Sequence, residues 1–196
     1  MCGIVGIIDL AGAGIDRAVL ERMASTIRHR GPDGQGVLIE GRVGFHHQRL
    51  AIIDLATGQQ PMTHGPFTII YNGEIYNYLE LRAELMARGH VFATSSDTEV
   101  ILHLYEEYGP ECVTRLNGMF AFLIYDRSRG EVFAARDHFG IKPLYYTEAG
   151  GAILFASEIK GLLAADRSLA ELNRGALDQY LCLRVIAPPL SMFKSI

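Results

Sequence analysis

Apolar residues along this chain follow two rhythms, short β-branched runs near the start and in the second half and helical stripes between them. The run Ile4-Val5-Gly6-Ile7-Ile8 is bounded by Gly3 and Asp9 and predicts a buried strand. The stripe then turns helical, with Ile15, Val19, Leu20, Met23 and Ile27 on one face, Asp16 placed to cap it, and Arg28, His29 and Arg30 suited to the carbonyl end. Glycine and proline at 31–36 predict a loop. Strands are expected at 37–40 and 43–46, turned by Gly41, and at 50–53. Residues 54–66, rich in Gly, Thr and Pro, read as a long surface connection of the kind that covers a site.

A second β-rich run, Phe67-Thr68-Ile69-Ile70-Tyr71, delivers Asn72-Gly73-Glu74 at its end. Asn77 with Glu80 and Ser96 with Glu99 have the spacing of capping boxes, and each precedes a helical stripe; Gly89 ends the first and Gly109-Pro110 the second. Strands at 119–125 and 131–135, and at 144–147 and 152–156, face each other across hairpin turns. Short helices at about 158–164 and 174–183 close the pattern. Strands in hairpins with helices grouped between them predict an α+β fold. Because the runs are apolar at nearly every position, they predict two stacked antiparallel sheets between helical layers.

Composition narrows the function. The chain has 196 residues, 49% hydrophobic and 20% charged, enough for one large domain or two small ones, and no repeat is visible. A net charge of −4 without a Lys/Arg cluster gives no footprint for nucleic acid. No apolar run approaches the roughly 18 residues of a membrane span, and the start lacks a signal-peptide pattern, so a cytoplasmic protein is expected. Cys2, Cys112 and Cys182 are too few and too scattered for a disulfide framework or a zinc site. His46, His47, His64, His90 and His103 show no metal-ligand spacing, and structural or exposed roles are expected for them. No metal is assigned.

Cys2 carries the chemistry. If Met1 is trimmed, one residue holds both a thiol, with an ordinary pKa near 8.5, and an α-amine near 7.7–8.0 that can take the thiol's proton. The covalent link fixes their separation, which removes much of the orientational entropy of a two-residue dyad. A plain buried cysteine in a strand is the alternative.

Eight strings decide between these readings: Cys2-Gly3-Ile4-Val5-Gly6, Arg28-His29-Arg30-Gly31-Pro32-Asp33-Gly34, Arg49-Leu50-Ala51-Ile52-Ile53-Asp54, Tyr71-Asn72-Gly73-Glu74-Ile75-Tyr76-Asn77, Ser96-Asp97-Thr98-Glu99, Gly118-Met119-Phe120-Ala121-Phe122, Arg136-Asp137-His138-Phe139-Gly140-Ile141-Lys142-Pro143-Leu144-Tyr145 and Ala156-Ser157-Glu158-Ile159-Lys160. In this order they resemble the class II glutamine amidotransferase domain of glutamine-hydrolysing asparagine synthetases. The resemblance implies an N-terminal-nucleophile hydrolase fold, a four-layer αββα sandwich, and hydrolysis of L-glutamine to glutamate and ammonia through a thioester on Cys2. It further implies that Arg49 holds the substrate α-carboxylate, that Asp97 and Glu74 receive the α-ammonium, and that the Asn72 amide and the Gly73 N–H form an oxyanion hole. The backbone at Ile52 and Ile53 would line the pocket.

Arg136-Asp137-His138 is expected in a buried polar network, outside the site. The resemblance also implies a glutaminase domain over 1–183 and, from 184 to 196, the start of a linker into a synthetase domain that lies outside this chain. That domain would be a partner in the same polypeptide and would bring ATP and magnesium. No cofactor is expected in the glutaminase part. A homodimer is left open. Two alternatives remain at this stage: an amidotransferase serving another acceptor, such as a sugar phosphate or purine precursor, and a catalytically silent glutamine-binding module.

Overall fold

The computed structural model describes residues 1–196. Its strands are β1 (Gly3–Asp9), β2 (Gly34–Glu40), β3 (Val43–Arg49), β4 (Met62–His64), β5 (Phe67–Ile75), β6 (Gly118–Asp126), β7 (Glu131–Arg136), β8 (Tyr145–Ala149) and β9 (Ala152–Ala156). Its helices are α1 (Arg17–Thr26), α2 (Tyr78–Ala87), α3 (Asp97–Tyr108), α4 (Ile159–Ala165) and α5 (Arg174–Leu183). One sheet has the order β2-β3-β1-β9-β8 and the other β4-β5-β6-β7, all pairings antiparallel. Helices α1 and α4 pack on the outer face of the five-stranded sheet, and α3, backed by α2, on that of the four-stranded sheet. The expected αββα sandwich is therefore the fold.

Side-chain alternation along the strands separates three cores. Val5 and Ile7 of β1 face outward, where they meet Leu20, Met23 and Ile27. Ile4, Val43, Phe45, Ile70, Ala121 and Leu123 face inward and fill the space between the sheets. Ile69, Tyr71, Phe120 and Phe122 point outward again, under Val100, Ile101 and Leu104 of α3. The central strands are buried as expected, whereas the edge strands β2, β4, β7 and β8 are partly exposed.

Several local expectations are corrected. Residues 34–36 belong to β2, paired with Arg49, Gln48 and His47. Gly36 is there because a Cβ would run into the Gln60 carbonyl, a close approach rather than a turn. The strand expected at 50–53 is absent, because the chain leaves β3 at Arg49 and curls so that the Arg49 guanidinium donates to the carbonyls of Asp54 (2.6 Å) and Leu55 (3.2 Å). Asn72 and Gly73 lie inside β5, opposite Ala121 and Phe120, and form no turn.

Neither capping box closes fully. Asn77 precedes α2 without a side-chain cap; its amide instead donates to the Arg115 carbonyl and accepts from the Asn117 N–H. Ser96 does cap α3 by accepting from the Thr98 N–H, yet Glu99 turns to the 93–94 backbone. Of the Arg136-Asp137-His138 string only Asp137 is buried, and Arg136 and His138 are exposed. Residues 191–196 fold back on the domain: Phe193 bridges to Leu172, Thr147 donates to the Ser195 carbonyl, and Ile196 packs on the α1 side core.

Candidate active site

The inward-facing positions change character toward one end of the sandwich. Along β3 the sequence Val43, Phe45, His47, Arg49 runs from apolar to cationic. On β5 Ile70 gives way to Asn72, and at the head of β1 Ile4 is preceded by Cys2. Register puts these rows side by side, since Ile4 lies opposite His47 and Asn72 opposite Ala121. Period-two alternation thus collects a thiol, a guanidinium and an amide at one mouth between the sheets.

The mouth is a cleft of about 70 Å³ lined by Cys2, Arg49, Ile52, Ile53, Asn72, Gly73, Glu74 and Asp97, together with Met1, Gln60, Tyr71, Lys142 and others. Every residue assigned to the site from sequence lines it. Ile52 does so from a curled segment, with its side chain 66% exposed. Of the long connection expected at 54–66, Gly58 and Gln60 form part of the wall, but residues 62–64 pair with β5 as strand β4 and are not a loop. Asp54 pins that connection by accepting from Thr57 and from the Ser95 N–H, beside the start of α3.

The Cys2 sulfur sits against Leu50, 3.4 Å from its N–H and 3.5 Å from its carbonyl oxygen. Burial pushes the thiol above its ordinary value; the Leu50 N–H, the terminal ammonium and Arg49 pull the other way, and Asp97 adds to the rise. Arg30, expected only as a cation at the carbonyl end of the first helix, lies in a separate turn beyond α1, is buried and holds the cysteine in place. Its Nε donates to the Cys2 carbonyl (2.9 Å) and its Nη1 to Glu158 (3.0 Å). Burial would raise the Glu158 carboxyl, but hydrogen bonds from Lys160 and Arg30 and the nearby His29 outweigh it and hold the group at about 2.

Asn72 is buried, and its Nδ2 has no hydrogen-bond partner. A buried amide donor without an acceptor costs about 1–3 kcal/mol, which a ligand oxygen would relieve. Next to it Gly73 admits no side chain, since a Cβ would meet the Met119 carbonyl oxygen and stand 2.8 Å from the Phe120 Cα. Asp97, first residue of α3, accepts through one oxygen from the Tyr71 hydroxyl (2.7 Å) and the Ile75 N–H (3.1 Å). Burial outweighs these bonds and raises its carboxyl above the ordinary value, a condition that a cation beside it would reverse.

Tyr71 and Gln60 were not singled out from sequence. Gln60 accepts from the Tyr71 N–H (2.6 Å) and donates to Thr98 (3.3 Å), which ties the wall to α3. The one sequence signal for Tyr71 was its place directly before Asn72. Lys142 reaches the cleft on a loop whose N–H groups converge on Asp137.

An αββα sandwich with a thiol at the head of the central strand of one sheet and an amide donor from the other lining the same cleft has the architecture of the N-terminal-nucleophile hydrolase fold. The chain belongs to the glutamine amidotransferase domain family, which matches residues 1–196. Among curated relatives, an asparagine synthetase [glutamine-hydrolyzing] 3 from Bacillus subtilis is 46% identical over 184 residues, covering 91% of this chain and 30% of the relative. An asparagine synthetase [glutamine-hydrolyzing] 1 from the same organism is 44% identical, covering 98% and 31%. The chain thus spans under a third of the length of these relatives. A solved glutamine phosphoribosylpyrophosphate amidotransferase from B. subtilis, complexed with ADP and GMP, superposes with a TM-score of 0.71 at 25% identity, covering 84% of this chain and 43% of that one.

Proposed function

We propose that this domain hydrolyses L-glutamine to L-glutamate and ammonia through Cys2. The observation that carries this reading is the unpartnered Asn72 amide in a cleft it shares with Cys2, Arg49 and Asp97. Met1 lines the same cleft, and its removal would free the Cys2 amine where the thiol needs a base. Glutamine enters with its α-carboxylate on Arg49, where two of the guanidinium's five donors are used by the 54–55 carbonyls. Its α-ammonium goes to Asp97 and Glu74.

The amine takes the thiol proton and the thiolate adds to the side-chain amide carbon. The amide oxygen becomes an oxyanion held by Asn72 Nδ2 and the Gly73 N–H. Collapse breaks the C–N bond as the Cys2 ammonium returns its proton to the leaving nitrogen, releasing ammonia and leaving a glutamyl thioester. Water, deprotonated by the same amine, then adds to the thioester, and glutamate departs with the thiol restored.

The asparagine synthetase relatives favour an ATP- and magnesium-dependent amide-forming domain as the recipient of the ammonia, in the same polypeptide, with residues 184–196 leading toward it. A cytoplasmic location belongs to the same proposal; no helix here is long and apolar enough to cross a membrane. The test is ammonia release from L-glutamine by protein whose mature N-terminus has been read by mass spectrometry, set against Cys2→Ala. The variant is expected to fall to background. Equal release from both proteins excludes Cys2 as the nucleophile.

A further inference from the structure

Away from the glutamine cleft, on the outer side of the four-stranded sheet, three histidines meet two turns into α3. His64 comes from β4, His90 from the segment after α2, and His103 from α3 itself, which also supplies Glu106 one turn on. Ligand atoms of His64, His103 and Glu106 lie within 4.8 Å of one another. His64 Nε2 is 3.1 Å from Glu106 Oε2, His90 Nδ1 is 3.5 Å from that oxygen, and His103 Nδ1 is 3.8 Å from it. The two Nδ1 atoms are 2.9 Å apart. A tetrahedron built on bonds of about 2.0–2.1 Å has edges of about 3.3–3.4 Å, and these four of its six edges straddle that length; His90 stands outside the compact set of His64, His103 and Glu106 and must close on His64 to complete the shell.

Proton accounting gives a second, independent observation. His90 Nε2 is 2.8 Å from Glu107 and must donate to that carboxylate, so a neutral His90 presents a lone pair at Nδ1. His103 then has to donate from Nδ1, which leaves a bare lone pair at its Nε2. That nitrogen is buried without a partner, in a side chain only 1% exposed, and it faces the Glu99 carboxylate at 3.7 Å. Lone pair faces anion while His90 stays neutral; a second proton on His90 or a cation between the Nδ1 atoms removes the clash. A cation at the Nδ1 side reverses the tautomer: His103 Nδ1 becomes a ligand, and Nε2–H turns to Glu99. Both inner histidines would then have the carboxylate behind the ring that commonly orients metal-bound imidazole.

We propose that His64, His90, His103 and Glu106 bind one divalent transition-metal cation of the zinc class, with Glu99 and Glu107 orienting the rings. Three imidazoles and a carboxylate suit Zn²⁺ or Co²⁺ over the oxygen-seeking Mg²⁺ and Ca²⁺. The role is structural: the ion ties β4, the segment after α2 and α3 together. At 1.5 Å per residue, His103 stands about 9 Å along the helix from Asp97, outside the glutamine cleft. The histidines are far apart in sequence, so spacing alone gave no metal signal; the fold brings them together.

The test is calorimetric titration of metal-stripped protein with Zn²⁺ alone, melting curves with and without Zn²⁺, and Co²⁺ absorption as the coordination readout. One ion per chain, a rise in Tm and the visible bands of tetrahedral Co²⁺ without thiolate charge transfer are expected. His64 and Glu106 are 32% and 43% exposed, so His64→Gln and Glu106→Gln should keep the stripped-protein Tm; each is expected to weaken Zn²⁺ at least about 100-fold. Glu107→Gln should weaken it about 10-fold. Binding that survives both first variants overturns the proposal, as does thiolate charge transfer, which would put the ion on a cysteine. A Tm that responds to pH but not to Zn²⁺ also overturns it, leaving a proton-sharing cluster.

Discussion

Asp97 and Asp137 are both buried carboxylates, and the protein treats them in opposite ways. Asp137 is saturated: one oxygen accepts from the N–H groups of Phe139 and Ile141, the other from those of Phe120 and Lys142. Burial would raise its pKa, but these four donors outweigh it and hold the group below its ordinary value. At Asp97 the bonds from Tyr71 and Ile75 fall on one oxygen, burial wins, and the pKa rises. Two asparagines repeat the contrast. Asn77 has both ends of its amide engaged, whereas Asn72 leaves Nδ2 unpartnered. Saturated polar groups hold the chain together; under the proposed function the unsaturated ones in the cleft are left for glutamine.

The strongest way to break this contrast is Asn72→Ala. Loss of an oxyanion donor should lower kcat by about 10²–10³, or 3–4 kcal/mol. The Tm should hardly move, since the amide nitrogen has no protein acceptor to abandon. Steady-state glutaminase kinetics beside a thermal melt decide it. A variant that loses Tm and keeps kcat would show that Asn72 belongs with Asn77 among the structural amides.

Asp97→Asn comes next. It removes a charge-assisted contact to the α-ammonium, and kcat/KM should fall by the equivalent of about 2–3 kcal/mol, roughly 30–150-fold, mostly through KM. Stability should move the other way. A carboxyl whose folded pKa is raised contributes most below its unfolded value and loses that contribution as pH rises through the folded one. Once ionised, Asp97 is therefore a burden that the neutral amide lifts. The variant should melt at or above the wild-type temperature at pH 7, with wild type gaining ground as the pH drops. An unchanged KM counts against Asp97 as the ammonium partner.

The contrast also explains what could be read from the sequence. Strand β1 was legible because a β-branched run between glycine and aspartate has few other uses, whereas the reactive reading of Cys2 at its head was decided by the resemblance. The layering came from apolar runs with no polar face. Asn72-Gly73 was legible only through resemblance, for the dipeptide by itself is a turn signal, yet it sits mid-strand where the Met119 and Phe120 backbone leaves no room for a side chain. The segment 50–53 misled because its apolar residues look like a strand; a single long-range choice, the Arg49 guanidinium taking the 54–55 carbonyls, curls it instead. Arg30 and the histidine cluster stayed hidden for the same reason: their partners are set by the fold, Glu158 for one and residues from three elements for the other.

The smallest effect tests the saturated side. Asp137→Asn swaps one oxygen for an amide that donates where backbone N–H groups already point. That should cost about 1–3 kcal/mol, a Tm decrease of about 2–4 °C for each kcal/mol in a domain of this size. The pH dependence identifies the cause. A carboxyl whose folded pKa is depressed contributes its full stabilisation above the unfolded value and loses it as pH falls through the folded one. The Tm gap between wild type and Asp137→Asn should accordingly stay constant from pH 8 to about 5, then close at pH values below the ordinary carboxylate range of about 3.9. This is the reverse of the trend expected at Asp97. If both variants track pH in the same direction, hydrogen-bond saturation is not what separates the two carboxylates.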